Sequence, residues 1–438
     1  MINPGEVERD LANLRRTIDD VIAYQKRRVP LISSENISSS LLLSSYALGL
    51  SDQYCSRLPC NAGKVDNLTF SNIGALDVVN AETRKIALEL FEAQECDVRL
   101  LSGLSGLTVL LFAVLQEQDV LFRVDEADGG HLSTKPIANR LHINLRDMVL
   151  NDRCRLDVDH FRKMYQKEKP QAVFFDSSYV LFPYPLETIR DIVGPDVLIL
   201  YDASHVISLI ASGFFQSPFK EGADIIHSTT HKTLWGPQKS MILFREKGPL
   251  AERVHLFAQD LVSNTHLHHI FALYIALLEF RHFGVDYARQ IRKNVKAFAE
   301  ALSREGMNVA AKQYGYSESN QLWVDFETKE NAIAQFKKID RTDISLNVIF
   351  LPGGHWGWRI AVNGLTRLGA KEEEFKVLAR ILSDVVHDRK SPARINEECE
   401  ALRQGLGDLQ YCFDSMPEAQ KIQECIFAER LNFTNVLA

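Results

Sequence analysis

Between residues 75 and 245 apolar, strand-like runs alternate with helical ones, and this limits the possible folds more than any other feature of the chain. "DVRLLS" leads into "GLTVLLFAVLQ". "DVLFRV", "QAVFFDS", "VLILYDAS", "DIIHSTT" and "SMILFRE" follow, with helical segments such as "TIRDIVG" among them. Strands that take turns with helices build a largely parallel sheet wrapped by helices. These strands are continuous apolar runs, the pattern of burial on both faces. The expected class is therefore α/β. At 438 residues the chain exceeds one ordinary core, so a second, smaller unit is expected. A proline-free helical stretch at 266–302 would bridge to it, and "NQLWVDFE", "WRIAVNG" and "EEEFKVLARILSDVV" give it strands and a helix. Before the sheet, Val7, Leu11, Leu14, Ile18, Val21 and Ile22 recur at helical spacing, which predicts an exposed helix over 5–28. The expected division is a helical arm over 1–50, a large α/β domain over 51–280 and a smaller α+β domain with a helical tail over 281–438.

Charge and cysteine usage narrow the class of function. A net charge of −7 argues against nucleic acid and anionic membranes as partners. No run of some eighteen apolar residues is present, and the first residues, "MINPGEVERD", do not read as a signal peptide. The cysteines at 55, 60, 96, 154, 399, 412 and 425 are scattered. They read as reduced thiols of a cytoplasmic protein, with neither a disulfide framework nor a metal site.

Open parallel sheets bind ligands beyond the carboxyl ends of their strands. After "VRLL" comes Ser102-Gly103-Leu104-Ser105-Gly106, opening a helix whose N-terminus suits a phosphate. After "VLILY" come Asp202 and His205, and after "DIIH" comes "STTHK", which ends in Lys232. A lysine, a carboxylate and a phosphate site in one crevice are what pyridoxal phosphate needs. The lysine forms the Schiff base. The acid keeps the pyridine nitrogen protonated, so that the ring accepts electrons.

"STTHKTLWGP" resembles the cofactor-lysine segment of serine hydroxymethyltransferase, a family of fold-type I pyridoxal-phosphate enzymes. "LISSEN", "SGLSG", "GGHLS", "DASH" and "WRIAVNGLTRLG" extend the resemblance in order from about 30 to 370, and Asp202 and Lys232 stand 30 positions apart, near the family's spacing. The fold implied is an aspartate-aminotransferase-like large domain. The resemblance implies Lys232 as the Schiff-base lysine, Asp202 at the pyridine nitrogen and His205 near the ring oxygen and substrate carboxylate. Ser102, Gly103 and Leu104 would hold the phosphate. Ser177 would touch the cofactor, and Thr229 and His231 would flank the lysine. Arg359, assisted by Ser34, would clamp the α-carboxylate of an amino acid. Tyr54 would enter from the second subunit of a homodimer with shared active sites.

The departures from the family fall on proton handling and on the folate region. The family's ring-stacking histidine is Asp128 here, and the expectation is that this carboxylate carries protons instead. The glutamate of the intersubunit loop is Ser56, followed by the tyrosine-free "CNAGKVDNL"; the arginine after Gly-Pro is Gln238; and the remaining loops read "VIFLPGG" and "VSNTH". These changes put tetrahydrofolate dependence in question. The expected activity works at Cα of a glycine-, serine- or threonine-class amino acid through an external aldimine. It is aldol-type cleavage or transfer on a β-hydroxy-α-amino acid, with an aldehyde as acceptor. Racemisation, decarboxylation, transamination and a catalytically weak cofactor-binding partner protein stay open.

Overall fold

The structure is a computed structural model, and it describes residues 4–55, 74–262 and 264–436. Its centre is a seven-stranded sheet in the order Glu95–Asp97, Ser240–Phe244, Ile225–Thr229, Leu198–Asp202, Ala172–Phe175, Val120–Val124, Asn144–Met148. Only Ser240–Phe244 runs antiparallel to its neighbours; the other pairs are parallel. The strands Ile225–Thr229 and Ala172–Phe175 are buried at every position; the unbroken apolar sequence of Ala172–Phe175 requires it, whereas Ile225–Thr229 also buries His227, Ser228 and Thr229. The class is α/β with a mostly parallel sheet, as expected.

One strand is shorter than its sequence suggests. "DVRLLS" leaves the sheet at Asp97, because the Asp97 carboxylate accepts the Arg99 N–H at 2.9 Å and turns the chain. Arg99 and His255 also close on that carboxylate, the latter at 2.8 Å. Asp97 is thereby held well below the usual carboxylate range, although burial alone would raise it. The next residues run beside Ser240, whose N–H donates to Leu100 O at 3.2 Å, and enter the helix Gly103–Val114.

The bridging helix spans Leu267–Arg304 and packs on the helices Gly74–Leu90 and Glu372–Val386. It reaches a second sheet, antiparallel, in which His355–Ala361 lies between Gln321–Asp325 and Asn347–Leu351. Val29–Pro30 pairs with Ile344–Ser345, so the start of the chain joins this smaller unit. The N-terminal helix, Pro4–Arg27, buries none of its residues and exposes its apolar stripe, Leu11 at 59%. The polar tail forms helices Pro392–Gly405 and Pro417–Val436.

Candidate active site

Two neighbouring strands bring the acid and the lysine together. Leu198–Asp202 and Ile225–Thr229 are parallel, with Asp202 opposite His227. Residues in register on adjacent strands point to the same face, and His227 Nδ1 lies 3.1 Å from Asp202 Oδ2. The other carboxylate oxygen accepts the Ser204 N–H at 2.8 Å. Burial alone would raise the Asp202 pKa, but His227, Lys232 and this hydrogen bond outweigh it and hold the group below the ordinary carboxylate range. The chain then turns, and Ser204 Oγ accepts the Thr229 N–H at 2.9 Å, which locks the two strand ends together.

His205 closes the cluster. Its Nε2 lies 3.2 Å from Lys232 Nζ. Burial, with the positive charges of Lys232 and Arg359, keeps its imidazole neutral far below the usual histidine range. Lys232 is pushed down to about 8, by burial first and by Arg359 as well, while Asp202 opposes the shift. Asn36 Nδ2 holds the lysine's backbone carbonyl from behind at 2.7 Å.

The helix Gly103–Val114 begins at the same cluster. Ser102 and Ser105 cap it reciprocally, at 3.1 and 2.9 Å. The first-turn N–H groups of Gly103 and Leu104 have no intrahelical acceptor, and the helix dipole favours an anion before them. Gly103 must be glycine here, since a Cβ would lie 2.5 Å from Thr229 Cγ2.

Gly103, Leu104, Ser177, Asp202, His205, Thr229 and Lys232 line one cavity of about 200 Å³, joined by His131. His205 Nδ1, His227 Nε2 and Thr229 Oγ1 are buried without a hydrogen-bond partner. Buried polar atoms need partners. Pyridoxal phosphate fits this donor set, with a carboxylate for the ring nitrogen, an amine for the aldehyde and a helix N-terminus for the phosphate. Arg359, 8% exposed, is not among the cavity-lining residues but bonds to one of them: its Nη1 donates to Ser178 O at 3.1 Å, and its guanidinium lies 5.0 Å over the Tyr179 ring. Its Nε has no partner.

The remaining expected residues lie elsewhere. His231 and Ser34 line a second cavity, of about 510 Å³, which also includes Asn36, Trp235 and Gln238. Asp128 does not line the cofactor cavity; its Oδ2 accepts the Leu150 N–H at 2.8 Å. Tyr54 is 56% exposed and lines neither cavity. Ser56 and the stretch 60–68 lie outside the described residues, as does position 263 of "VSNTH". His227, Ser204 and Ser178 carry roles the sequence reading missed. For His227 the signal was available, as the one ionisable side chain in a buried apolar strand.

The family described as serine hydroxymethyltransferase matches residues 7–382. The serine hydroxymethyltransferase of Methanocella arvoryzae is 31% identical, over 94% of this chain and 98% of its own length. That of Archaeoglobus fulgidus is also 31% identical, over 88% and 89%. Among solved structures, an L-threonine transaldolase from Pseudomonas fluorescens, in its internal aldimine state, superposes with a TM-score of 0.92 at 26% identity. The match covers 97% of this chain and 99% of that one.

Proposed function

Because the chain belongs to the serine hydroxymethyltransferase family of pyridoxal-phosphate-dependent enzymes, we propose that it makes or breaks the Cα–Cβ bond of a β-hydroxy-α-amino acid, transferring the amino-acid carbanion to an aldehyde without tetrahydrofolate. The observation that carries this reading is the cluster of Lys232, Asp202 and His205 in one cavity, with Arg359 bonded to Ser178 of its wall. The structural likeness to a threonine transaldolase supports the transfer form, as do the altered residues of the folate region.

Pyridoxal phosphate, when bound, supplies an aldehyde that captures amines and a ring that accepts the electrons of a broken Cα bond. The protein supplies the rest. Lys232 would hold the aldehyde, and its lowered pKa raises the neutral fraction of the amine well above that of an ordinary lysine. Asp202, kept ionised beside His227, would hold the ring nitrogen in its protonated form. Arg359 would pair with the substrate carboxylate and so orient the bonds at Cα. His131, whose pKa burial lowers, presents a neutral imidazole to the cavity as the base for the β-hydroxyl proton; Ser133 N–H occupies its Nδ1 at 3.2 Å. A screen of glycine, serine, threonine and other β-hydroxy amino acids against the visible spectrum tests this reading. Each would be tried with and without an added aldehyde and with and without tetrahydrofolate. The expected result is a spectral shift and aldehyde-dependent product with no gain from tetrahydrofolate; transfer that needs the folate contradicts it.

The exposed apolar stripe of helix Pro4–Arg27 and the exposure of Tyr54 support a homodimer as the working unit. Light scattering on active protein should give twice the chain mass; an active monomer contradicts this.

A further inference from the structure

We infer that Arg153, at the tip of the hairpin joining Leu150–Asn151 to Arg155–Leu156, is a positioning residue that sets Arg359 in place for the substrate carboxylate. The inference rests on reading Arg359 as the carboxylate clamp.

The hairpin is built at a cost. Asp152 and Arg153 have φ of 48° and 69°, a left-handed conformation that side chains other than glycine rarely adopt. Such strain persists where the surroundings hold it. Here Arg153 Nη1 donates to Asp325 Oδ2 at 2.7 Å, and its Nε donates to Pro352 O at 2.6 Å. Gly353, at φ +82°, makes room for the arginine stem, since a Cβ there would come within 2.7 Å of Arg153 Cγ. Asp152 bonds to the Tyr314 hydroxyl, and the Arg155 guanidinium lies 3.8 Å over the Tyr314 ring.

The docking point belongs to the sheet that carries the clamp. Asp325 ends the strand Gln321–Asp325 and stands opposite Gly357, while Trp323 stands opposite Arg359. Side chains two apart along a strand share a face, so Asp325, Trp323, His355 and Arg359 all project from one side of this sheet. His355 Nδ1 closes on Asp325 at 2.9 Å, beside Arg153. Trp323 meets the Tyr179 ring edge-on at 6.2 Å, and Tyr179 lies beneath Arg359. That face is held at two points, by Tyr179 with Ser178 O near Arg359 and by Arg153 beyond it.

The base of the same hairpin reaches the wall of the cofactor cavity. Leu150 N–H donates to Asp128, and the adjoining Gly129 carbonyl accepts the Ser178 N–H at 2.9 Å and the Ser177 hydroxyl at 3.1 Å. Ser178 O is the group that Arg359 holds. One short hairpin therefore spans from the residues that flank the cofactor to the sheet that presents the guanidinium. Asp128 serves as its anchor.

The test titrates the cofactor-loaded enzyme with glycine and, separately, with a primary amine that lacks a carboxylate, following the visible spectrum. Arg153→Ala should weaken glycine binding about tenfold to a hundredfold. Binding of the carboxylate-free amine and of the cofactor should stay as in the parent. Arg153→Lys should recover part of the loss, and it covers the case in which the alanine variant does not fold. Arg359→Ala should show a larger loss, and the double variant should fall short of the sum. Unchanged glycine affinity in both Arg153 variants, with Arg359→Ala still impaired, overturns this inference alone. A parallel loss of amine or cofactor binding also overturns it, since that is what a general structural role produces. An Arg359→Ala enzyme that keeps full glycine affinity overturns the clamp reading and this inference with it.

Discussion

Replacing Lys232 with alanine should leave a colourless protein and lower turnover by at least about a thousandfold. The loss is large because no other amine is placed to substitute. Among the described residues that line the cavity, Lys232 is the only lysine. Its nearest polar neighbour is His205, at 3.2 Å, whose neutral imidazole leaves the ammonium unpaired there. The lowered pKa adds a sign that can be checked. A lysine at about 8 in the fold and near 10.5 in the unfolded chain binds fewer protons when folded between those values. In cofactor-free protein its contribution to stability therefore rises with pH from about 8 toward 10.5. Cofactor capture, which needs the neutral amine, should speed up as pH rises and level off above about 8. Stopped-flow absorbance on the parent and Lys232→Ala proteins reads the capture rate, and denaturant unfolding of the cofactor-free proteins between pH 8 and 10.5 reads the stability.

Asp202→Asn should behave differently, keeping the colour and losing turnover by a comparable factor of about a thousand. Asparagine fits the same space but carries no charge, so nothing holds the ring nitrogen protonated and the electron sink fails. The position of this acid makes the effect large. Its carboxylate is tied to His227 and the Ser204 N–H, and the pair sits between buried strands. Its pKa is depressed, so its charge contributes to stability above the ordinary carboxylate value and is lost only as pH falls through the lower, folded value. The parent enzyme should therefore show no acid limb in its rate profile from this group at mildly acid pH. Asp202→Asn should lower the rate evenly across that range. Steady-state rates and absorbance of the variant between pH 5 and 8 measure it.

Residues placed by strand ends were legible in the sequence, and residues placed by distant contacts were not. Asp202 and Lys232 follow apolar runs, and a parallel sheet puts such positions in one crevice whatever the loops do. Gly103 and Leu104 were legible for the same reason, as the opening of a helix after a strand. The bridging helix also came through clearly, expected over 266–302 and found at Leu267–Arg304. The strand at "DVRLLS" did not, because a carboxylate at its third ordered residue captures a backbone N–H and ends it, overriding the apolar letters that follow. The setting of Asp128 was hidden too. Its partner, Leu150, is 22 residues away in a hairpin with no turn glycine, where two left-handed residues are held by contacts with a separate sheet. Arg153 itself reads as an ordinary loop arginine until the fold brings Asp325 to it, from 172 residues along the chain.

These differences bear on how the site works. The sequence places a carboxylate where the family stacks a histidine, and expects it to handle protons. The geometry ties that carboxylate to the hairpin, while His131, His205 and His227 line the cavity.

The central claim is that the amine at position 232 carries the cofactor. Borohydride reduction of the yellow holoenzyme, followed by peptide mapping, tests it most directly. The account predicts a single stable pyridoxyl label on the peptide containing Lys232. A label on another lysine, or a protein that binds the cofactor and yields no labelled peptide after reduction, would contradict it.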